Sequence, residues 1–128
     1  MSQTGQKEIN VLFFNTRDEF FRVDLRKVGY FKADRNYTDI YFLNGYHEVL
    51  PLGLMAIEQM LNVAGSRDKV LPFVRIGRSL IVNLSYIVHI NVPRQELVIS
   101  DCTTPQVLRL EVPKESLRKL KELYKGRL

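Results

Sequence analysis

The segment FVRIGRSLIVNL at residues 73–84 decides the fold class of this chain. Residues 73–76 are rich in aromatic and β-branched types, which favour strands. Gly77, Arg78 and Ser79 then interrupt the run, and residues 80–84 form a second, strongly apolar run. The segment therefore predicts short strands separated by a polar break.

The same alternation of short apolar runs and polar breaks continues on both sides of this segment. Residues 34–36 form a turn by composition. Asn44 and Gly45 are a strong hairpin signal, because both central residues of a type I′ turn need a positive φ. The other predicted strands are residues 9–14, 20–25, 28–33, 38–43, 46–50, 86–92, 96–100 and 107–112.

Two segments have the period of a helix instead. After Pro51 the apolar residues recur every three or four positions, and Gly65 is the predicted stop. A last helix begins at Pro113 and has an apolar stripe from Leu117 to Tyr124. Consecutive short strands favour antiparallel pairing, since parallel strands need long crossovers. The sequence predicts a mainly β fold of about nine or ten mostly antiparallel strands with two short helices.

Composition limits the class of protein. A chain of 128 residues, with 45% hydrophobic and 26% charged residues, is expected to form one domain over residues 1–128 with its own core. Cys102 is the one cysteine, so an intramolecular disulfide is excluded and a reducing cytoplasm fits. No apolar run approaches the roughly 20 residues that span a bilayer, so we do not expect an integral membrane protein. The net charge of +5 favours polyanionic partners such as nucleic acid or an anionic membrane surface.

Motifs for enzymes are missing from the sequence. It has no glycine-rich phosphate loop, no Gly-x-Ser-x-Gly elbow and no paired-histidine metal motif. His47 and His89 lie in separate predicted strands, and Cys102 has no histidine near it in sequence. Asp34 and Asp39 are close together, but paired acids near a loop are common. We therefore expect no catalytic site, no metal site and no cofactor.

The basic residues are more informative, because several lie in predicted turns. Arg35 follows the third strand, Arg75 and Arg78 flank Gly77, and Lys114 opens the last helix. The planar fork of arginine can bind a guanine edge or a phosphate with two hydrogen bonds. Amide and hydroxyl groups that can reach phosphates or bases are added by Asn36, Thr38 and Ser79. Spacing alone leaves two alternatives open, a DNA-contacting surface and a solvated charged face.

Four stretches match the sequence blocks of one family. Residues 28–38 (VGYFKADRNYT) are similar to Ile-x-Tyr-Ile-Glu-Ala-x-x-Asn-Tyr, and residues 54–61 to Leu-x-x-Leu-Glu-x-x-Leu. Residues 73–87 are similar to Phe-x-Arg-Ile-His-Arg-Ser-x-Ile-Val-Asn, the most specific block of the four, and residues 110–114 to a closing Val-Ser-Arg. Together they cover about residues 20–124, and the chain resembles the LytTR DNA-binding domain family.

The sequence departs from the family pattern at three places. Lys32 stands in place of the usual glutamate, Gly77 in place of a histidine, and Pro113 with Lys114 in place of Ser-Arg. The first and third changes make the surface more basic. The second removes a contact to a phosphate or a base, so the resemblance does not define the target sequence.

The resemblance implies an elongated β-β-β arrangement that sends loops into two successive major grooves. It implies a bacterial transcription regulator that binds paired direct repeats of double-stranded DNA, one domain per repeat, and that could form a homodimer on DNA. The positions that match base-reading residues of the family are Arg35, Asn36, Thr38, Arg78 and Lys114. The candidates for phosphate contacts are Lys32, Arg75, Ser79 and Asn83. For Asn83 a second role, tying down the turn that follows it, is favoured.

Two other functions compete with DNA binding. Most family members carry a receiver or a membrane segment ahead of this domain, and we expect neither here. The chain is then controlled by a partner such as a membrane-bound inhibitor, or it is a protein-interaction module that sequesters another regulator. RNA binding is a weaker alternative, because it needs exposed aromatic side chains. Tyr30, Phe31 and Tyr37 could supply them, but their alternation indicates sheet packing for at least some of them.

Overall fold

A computed structural model describes residues 10–64 and 71–125 of the chain. In that part of the chain ten strands and two α-helices follow one another. The strands are β1 (Val11–Asn15), β2 (Phe20–Asp24), β3 (Val28–Asp34), β4 (Tyr37–Phe42), β5 (His47–Leu50), β6 (Phe73–Ile76), β7 (Leu80–Asn83), β8 (Ile87–Asn91), β9 (Glu96–Ile99) and β10 (Leu108–Glu111). The helices are α1 (Leu54–Ala64) and α2 (Lys114–Tyr124). Short 3₁₀ turns, Leu25–Lys27 and Leu84–Tyr86, precede β3 and β8.

The strands form three antiparallel sheets. β1 pairs with β2, the order β5-β4-β3-β7-β6 makes a five-stranded sheet, and β10-β9-β8 makes a three-stranded sheet. Every pair of neighbours is antiparallel. The predicted mainly β fold with two short helices is therefore confirmed. The start of the first predicted strand, Ile9, and the predicted helix stop, Gly65, lie outside the described residues.

The turn type predicted at Asn44 and Gly45 is wrong, although the hairpin is present. Only Gly45 of the two has a positive φ, at 93°. Phe42 N–H donates to the Tyr46 carbonyl at 2.8 Å and Gly45 N–H to the Phe42 carbonyl at 2.9 Å, so three residues make the loop. This is the pattern of a type I turn followed by one left-handed residue. The Asn44 side chain accepts the Tyr46 N–H at 2.9 Å, which satisfies the extra backbone group.

The five-stranded sheet is covered on both faces, because neighbouring residues of β3 point to opposite sides. Phe31 is fully buried in a cluster that includes Ile57 of α1 and residues of the β1–β2 hairpin. Tyr30 belongs to the opposite cluster, which includes Leu97 of β9 and Leu117 of α2. The first half of β3 thus lies between two apolar layers, while Lys32 and Asp34 near its other end are exposed.

Asn83 links two strands that are far apart in sequence. Its side chain is 1% exposed. Its Nδ2 donates to the Val28 carbonyl at the start of β3, and its Oδ1 accepts the Ser85 N–H, both at 2.9 Å. The side chain therefore caps the second 3₁₀ turn and joins the end of β7 to β3. This is the turn-binding role that the sequence analysis favoured, and it leaves Asn83 no exposed surface for a DNA phosphate.

A similar cap holds the turn before β3. The Asp24 carboxylate accepts the Arg26 N–H at 3.1 Å and pairs with the Arg26 guanidinium at 2.9 Å. The hydrogen bond from the Arg26 side chain holds the pKa of Asp24 below its usual value. Tyr86 donates to the Arg26 carbonyl at 2.8 Å and ties this turn to the three-stranded sheet. Side chains thus fix both turns at this end of the sheet.

We predict that Asn83→Ala lowers the free energy of unfolding by about 2–4 kcal/mol, because it leaves a buried carbonyl and an N–H without partners. Asn91→Ala is the control, since the Asn91 side chain accepts one exposed N–H in a surface turn. That change should cost less than about 1 kcal/mol. Urea denaturation of both variants measures the difference. Equal losses would contradict the linking role of Asn83.

Candidate nucleic-acid interface

Strand pairing brings several turns to one end of the five-stranded sheet. Lys32 near the end of β3 pairs with Leu80 at the start of β7. The β3–β4 turn, residues 35–36, therefore lies beside the β6–β7 turn, residues 77–79. The Ala33 N–H near the end of β3 donates to the Ser79 carbonyl at 2.8 Å and ties the β6–β7 turn to β3.

The β8–β9 turn and the start of α2 border the same end. A groove of about 440 Å³ is lined by residues of both, together with side chains of β3, β7 and β10. Among its lining residues are Lys32, Ser79, Gln95, Arg109 and Pro113. We call residues 35–36, 77–79, 94–95 and 113–114, with Lys32, the turn end of the domain.

Each of the three hairpin turns contains a residue in the left-handed region. The φ angles are 59° at Arg35, 60° at Gly77 and 55° at Gln95. For a residue other than glycine this conformation costs roughly 1–2 kcal/mol. Backbone strain of this kind is concentrated at functional sites, where the surrounding structure fixes it. The turn end therefore has sharply bent turns at the end of a well-packed sheet.

The turn end also carries a group of exposed cations. Lys32, Arg35, Arg78, Arg94 and Lys114 are all exposed. Within residues 10–64 and 71–125, none of these five side chains forms an ion pair. Two other predicted site residues, Asn36 and Ser79, are exposed beside them. The fold thus brings together most of the side chains that the sequence selected.

Acidic and phenolic groups at this end do not reverse the charge. Glu96 pairs with Arg109 at 3.2 Å, and Asp34 and Glu111 are the exposed acids of the neighbouring strand ends. Burial raises the pKa of Tyr30, which also lines the groove, to about 12. The phenol therefore stays neutral at physiological pH and adds no negative charge. The turn end keeps an excess of cations that suits a polyanion.

Thr38 is placed differently from the sequence prediction. It is fully buried, and its hydroxyl donates to the Leu52 carbonyl at 2.8 Å. This bond ties the start of β4 to the segment that leads into α1. A side chain with no exposed surface cannot reach a base edge without a rearrangement, so Thr38 supports the β3–β4 turn from within.

Arg75 also points inward, although the sequence suggested a phosphate contact. Its Nη1 pairs with Glu58 of α1 at 2.7 Å. Its Nε and Nη2 donate to the carbonyls of Gly77 and Arg78 at 3.2 and 3.0 Å. The guanidinium is thus engaged by helix α1 and by the backbone of the β6–β7 turn.

The sequence analysis missed Arg94, Gln95 and Arg109. The sequence predicts only a turn over residues 93–95, which contains Pro93. For Arg94 the signal was the same as at Arg35, a cation in a short turn between two strands. Gln95 and Arg109 line the groove with Ser79 and Lys32, and this position depends on how the three-stranded sheet packs, which one sequence does not give.

Features of other kinds of site are sparse in the described part of the chain. No group of three or more histidine, cysteine, aspartate or glutamate residues within it could hold a metal ion. His47 stacks on Tyr41 with ring centroids 5.0 Å apart, and Cys102 is exposed. Within the same ranges no helix is long and apolar enough to cross a bilayer.

Comparison with known proteins agrees with this fold. The model of the LytTr DNA-binding domain family matches residues 18–125. The structure is similar to one from Bacillus cereus, described as the LytTr DNA-binding domain of a methyl-accepting/DNA response regulator. The TM-score is 0.60 at 22% sequence identity, and the match covers 91% of this chain and 97% of that one. None of the curated proteins compared with the chain has a significantly similar sequence.

We predict that Arg35→Gly leaves the free energy of unfolding unchanged or raises it by up to about 1 kcal/mol, because glycine removes the cost of the left-handed backbone. Arg94→Gly is the matched control, since Arg94 does not have a positive φ. In Arg94→Gly the added conformational freedom of the unfolded chain should lower the free energy of unfolding by about 0.5–1 kcal/mol. Urea denaturation compares the two. Equal losses would mean that the backbone at Arg35 is not strained.

Proposed function

The chain belongs to the LytTR DNA-binding domain family, and on this premise we propose that it is a transcription regulator that reads double-stranded DNA with its turn end. The observation that carries the proposal is that three hairpin turns lie at one end of the domain, each with one residue in the left-handed region. Exposed cations that form no ion pair with any described residue lie in and beside these turns. Short turns on a rigid sheet are narrow enough to enter a major groove, which is about 12 Å wide.

The base contacts are assigned by side-chain chemistry. Arg78, at the tip of the β6–β7 turn, can donate two hydrogen bonds to the acceptors of a guanine. Asn36, in the neighbouring turn, suits the donor and acceptor pair of an adenine. Arg35 in the β3–β4 turn and Lys114 at the start of α2 are assigned further contacts along the duplex. We expect the turns to occupy successive major grooves.

The remaining polar groups are assigned to the phosphates. Lys32 and Ser79 are exposed in the groove that Gln95 also lines, and Arg94 is exposed in the β8–β9 turn next to Gln95. Cations at these positions would displace condensed counterions and supply most of the affinity that does not depend on sequence. Thr38 and Asn83 receive no DNA contact in this proposal, because both side chains are buried and hydrogen-bonded within the domain.

The mode of assembly is part of the same proposal. One domain binds each of two direct repeats in the cytoplasm, and any homodimer forms on the DNA. Because a narrow protein that contacts two grooves can bend the duplex, part of the sequence preference would come from the deformability of the DNA.

Selection of bound sequences from a random DNA pool tests the whole proposal. Recovery of no preferred sequence would contradict it and leave a protein-interaction role.

We predict that Arg78→Ala weakens binding to the selected sequence by about 5- to 150-fold, the equivalent of about 1–3 kcal/mol, and relaxes discrimination at one base pair. Arg26→Ala is the control, because it removes the same charge at the opposite end of β3. Gel-shift titration against a panel of single-base variants measures both properties. If the two variants lose affinity equally and discrimination is kept, Arg78 does not read a base.

We predict that the logarithm of the binding constant falls linearly with the logarithm of salt concentration, with a slope of about −0.9 for each phosphate neutralised. Lys32→Ala should reduce the magnitude of that slope by about 0.9 without changing base preference. Lys27→Ala, in the turn at the opposite end of β3, should leave the slope unchanged. An affinity that does not respond to salt would argue against this mode of binding.

A further inference from the structure

One guanidinium group holds the β6–β7 turn from the inside. Arg75 makes three hydrogen bonds, at 2.7 Å to Glu58 Oε1, at 3.2 Å to the Gly77 carbonyl and at 3.0 Å to the Arg78 carbonyl. Two of its partners are backbone atoms of the turn, and the third is a carboxylate on α1. We call this set of contacts the Arg75–Glu58 bridge.

The bridge matters because the turn has little other support. Gly77 is exposed, and a Cβ atom added to it would meet nothing within 4 Å. Arg78 and Ser79 are also exposed. Besides the bridge, the backbone bond from Ala33 to the Ser79 carbonyl ties the turn to β3. The backbone that carries Arg78 is therefore oriented by hydrogen bonds and not by packing.

The chemistry of arginine suits this role. Its five donors lie in one plane, so a single side chain can bind two carbonyls and a carboxylate at fixed angles. Lysine keeps the charge but presents a compact ammonium group on a flexible stem. The Arg75 side chain is 26% exposed and the Glu58 side chain 38%, so the pair is partly shielded from water.

We propose that Arg75 and Glu58 are positioning residues for base recognition, and that helix α1 thereby sets the orientation in which Arg78 meets a base. The proposal rests on the DNA-binding function above and assigns Arg75 a role other than a phosphate contact. The two roles affect different properties of DNA binding. A phosphate contact adds to the salt dependence of binding, whereas a positioning residue changes discrimination at one base pair.

Glu58→Gln distinguishes the two roles, because each role predicts a change in a different property of binding. If Arg75 bound a phosphate, removing the carboxylate would free the guanidinium and raise affinity for every sequence. If the bridge positions the turn, discrimination at the base pair read by Arg78 falls by about 3- to 10-fold, below the full value of a bidentate contact because the amide still accepts one hydrogen bond. Glu122→Gln is the matched control, since Glu122 pairs with Lys125 at 3.2 Å on the surface of α2.

Arg75→Lys gives a second, independent variant. It keeps the positive charge, so the salt slope should not change. Discrimination at the same base pair should fall about 10-fold, towards that of Arg78→Ala. The double variant with Glu58→Gln should lose no more than Arg75→Lys alone, because both changes break one bridge. Additive losses, unchanged discrimination or a salt slope lowered by about 0.9 would overturn the proposal.

Amide hydrogen exchange without DNA tests the bridge even if the DNA-binding function fails. Arg75→Lys should raise exchange at Arg78 and Ser79 at least 10-fold and leave the amides of residues 35–36 unchanged, because local order in one turn is lost. Unchanged exchange would show that the bridge does not hold the turn. Wild-type protein that selects no DNA sequence would contradict the proposed function, and faster exchange in the variant would still support the bridge.

Discussion

The register of β3 against its two neighbours is the constraint on which the turn end depends. β3 pairs with β4 through Phe31 and Ile40 and with β7 through Phe31 and Ile81, and all three side chains are buried on one face. A slip of one residue would turn every side chain of β3 to the other face and place Phe31 in the wrong core cluster. The same register places the β3–β4 and β6–β7 turns side by side. Core packing therefore sets the position of the candidate DNA-binding side chains.

Stability and function have opposite requirements at the turn end. Left-handed backbone at Arg35 and Gln95 and unpaired cations at Lys32 and Arg78 are both unfavourable for the isolated domain. A buried polar side chain below the β3–β4 turn compensates, since the Thr38 hydroxyl donates to the Leu52 carbonyl. Stability and DNA binding thus depend on different side chains. Buried polar side chains hydrogen-bond to the backbone, and exposed polar side chains remain available to DNA.

Sequence reasoning succeeded where a property is local. Strands and helices follow from apolar periodicity, and the choice of Arg35 and Arg78 follows from cations in short turns. It does not give the tertiary direction of a side chain: Thr38 and Arg75 have the residue types of DNA contacts, but Thr38 is buried and Arg75 bonds to Glu58 and to the backbone of the β6–β7 turn. It also missed Arg94, since the neighbourhood of the β8–β9 turn depends on sheet-on-sheet packing. The turn type at Asn44 was wrong because one extra residue joins the loop.

The Arg-Ile-Gly-Arg-Ser segment shows how one motif divides these roles among adjacent residues. Arg75 and Ile76 point inward, to the turn carbonyls and to the core, while Arg78 and Ser79 face solvent. Gly77 joins the two halves with a φ of 60°, which glycine adopts without strain. A residue with a side chain would have to adopt this left-handed conformation at a cost of roughly 1–2 kcal/mol. Glycine therefore lets the chain bend between Arg75 and Arg78 without that cost.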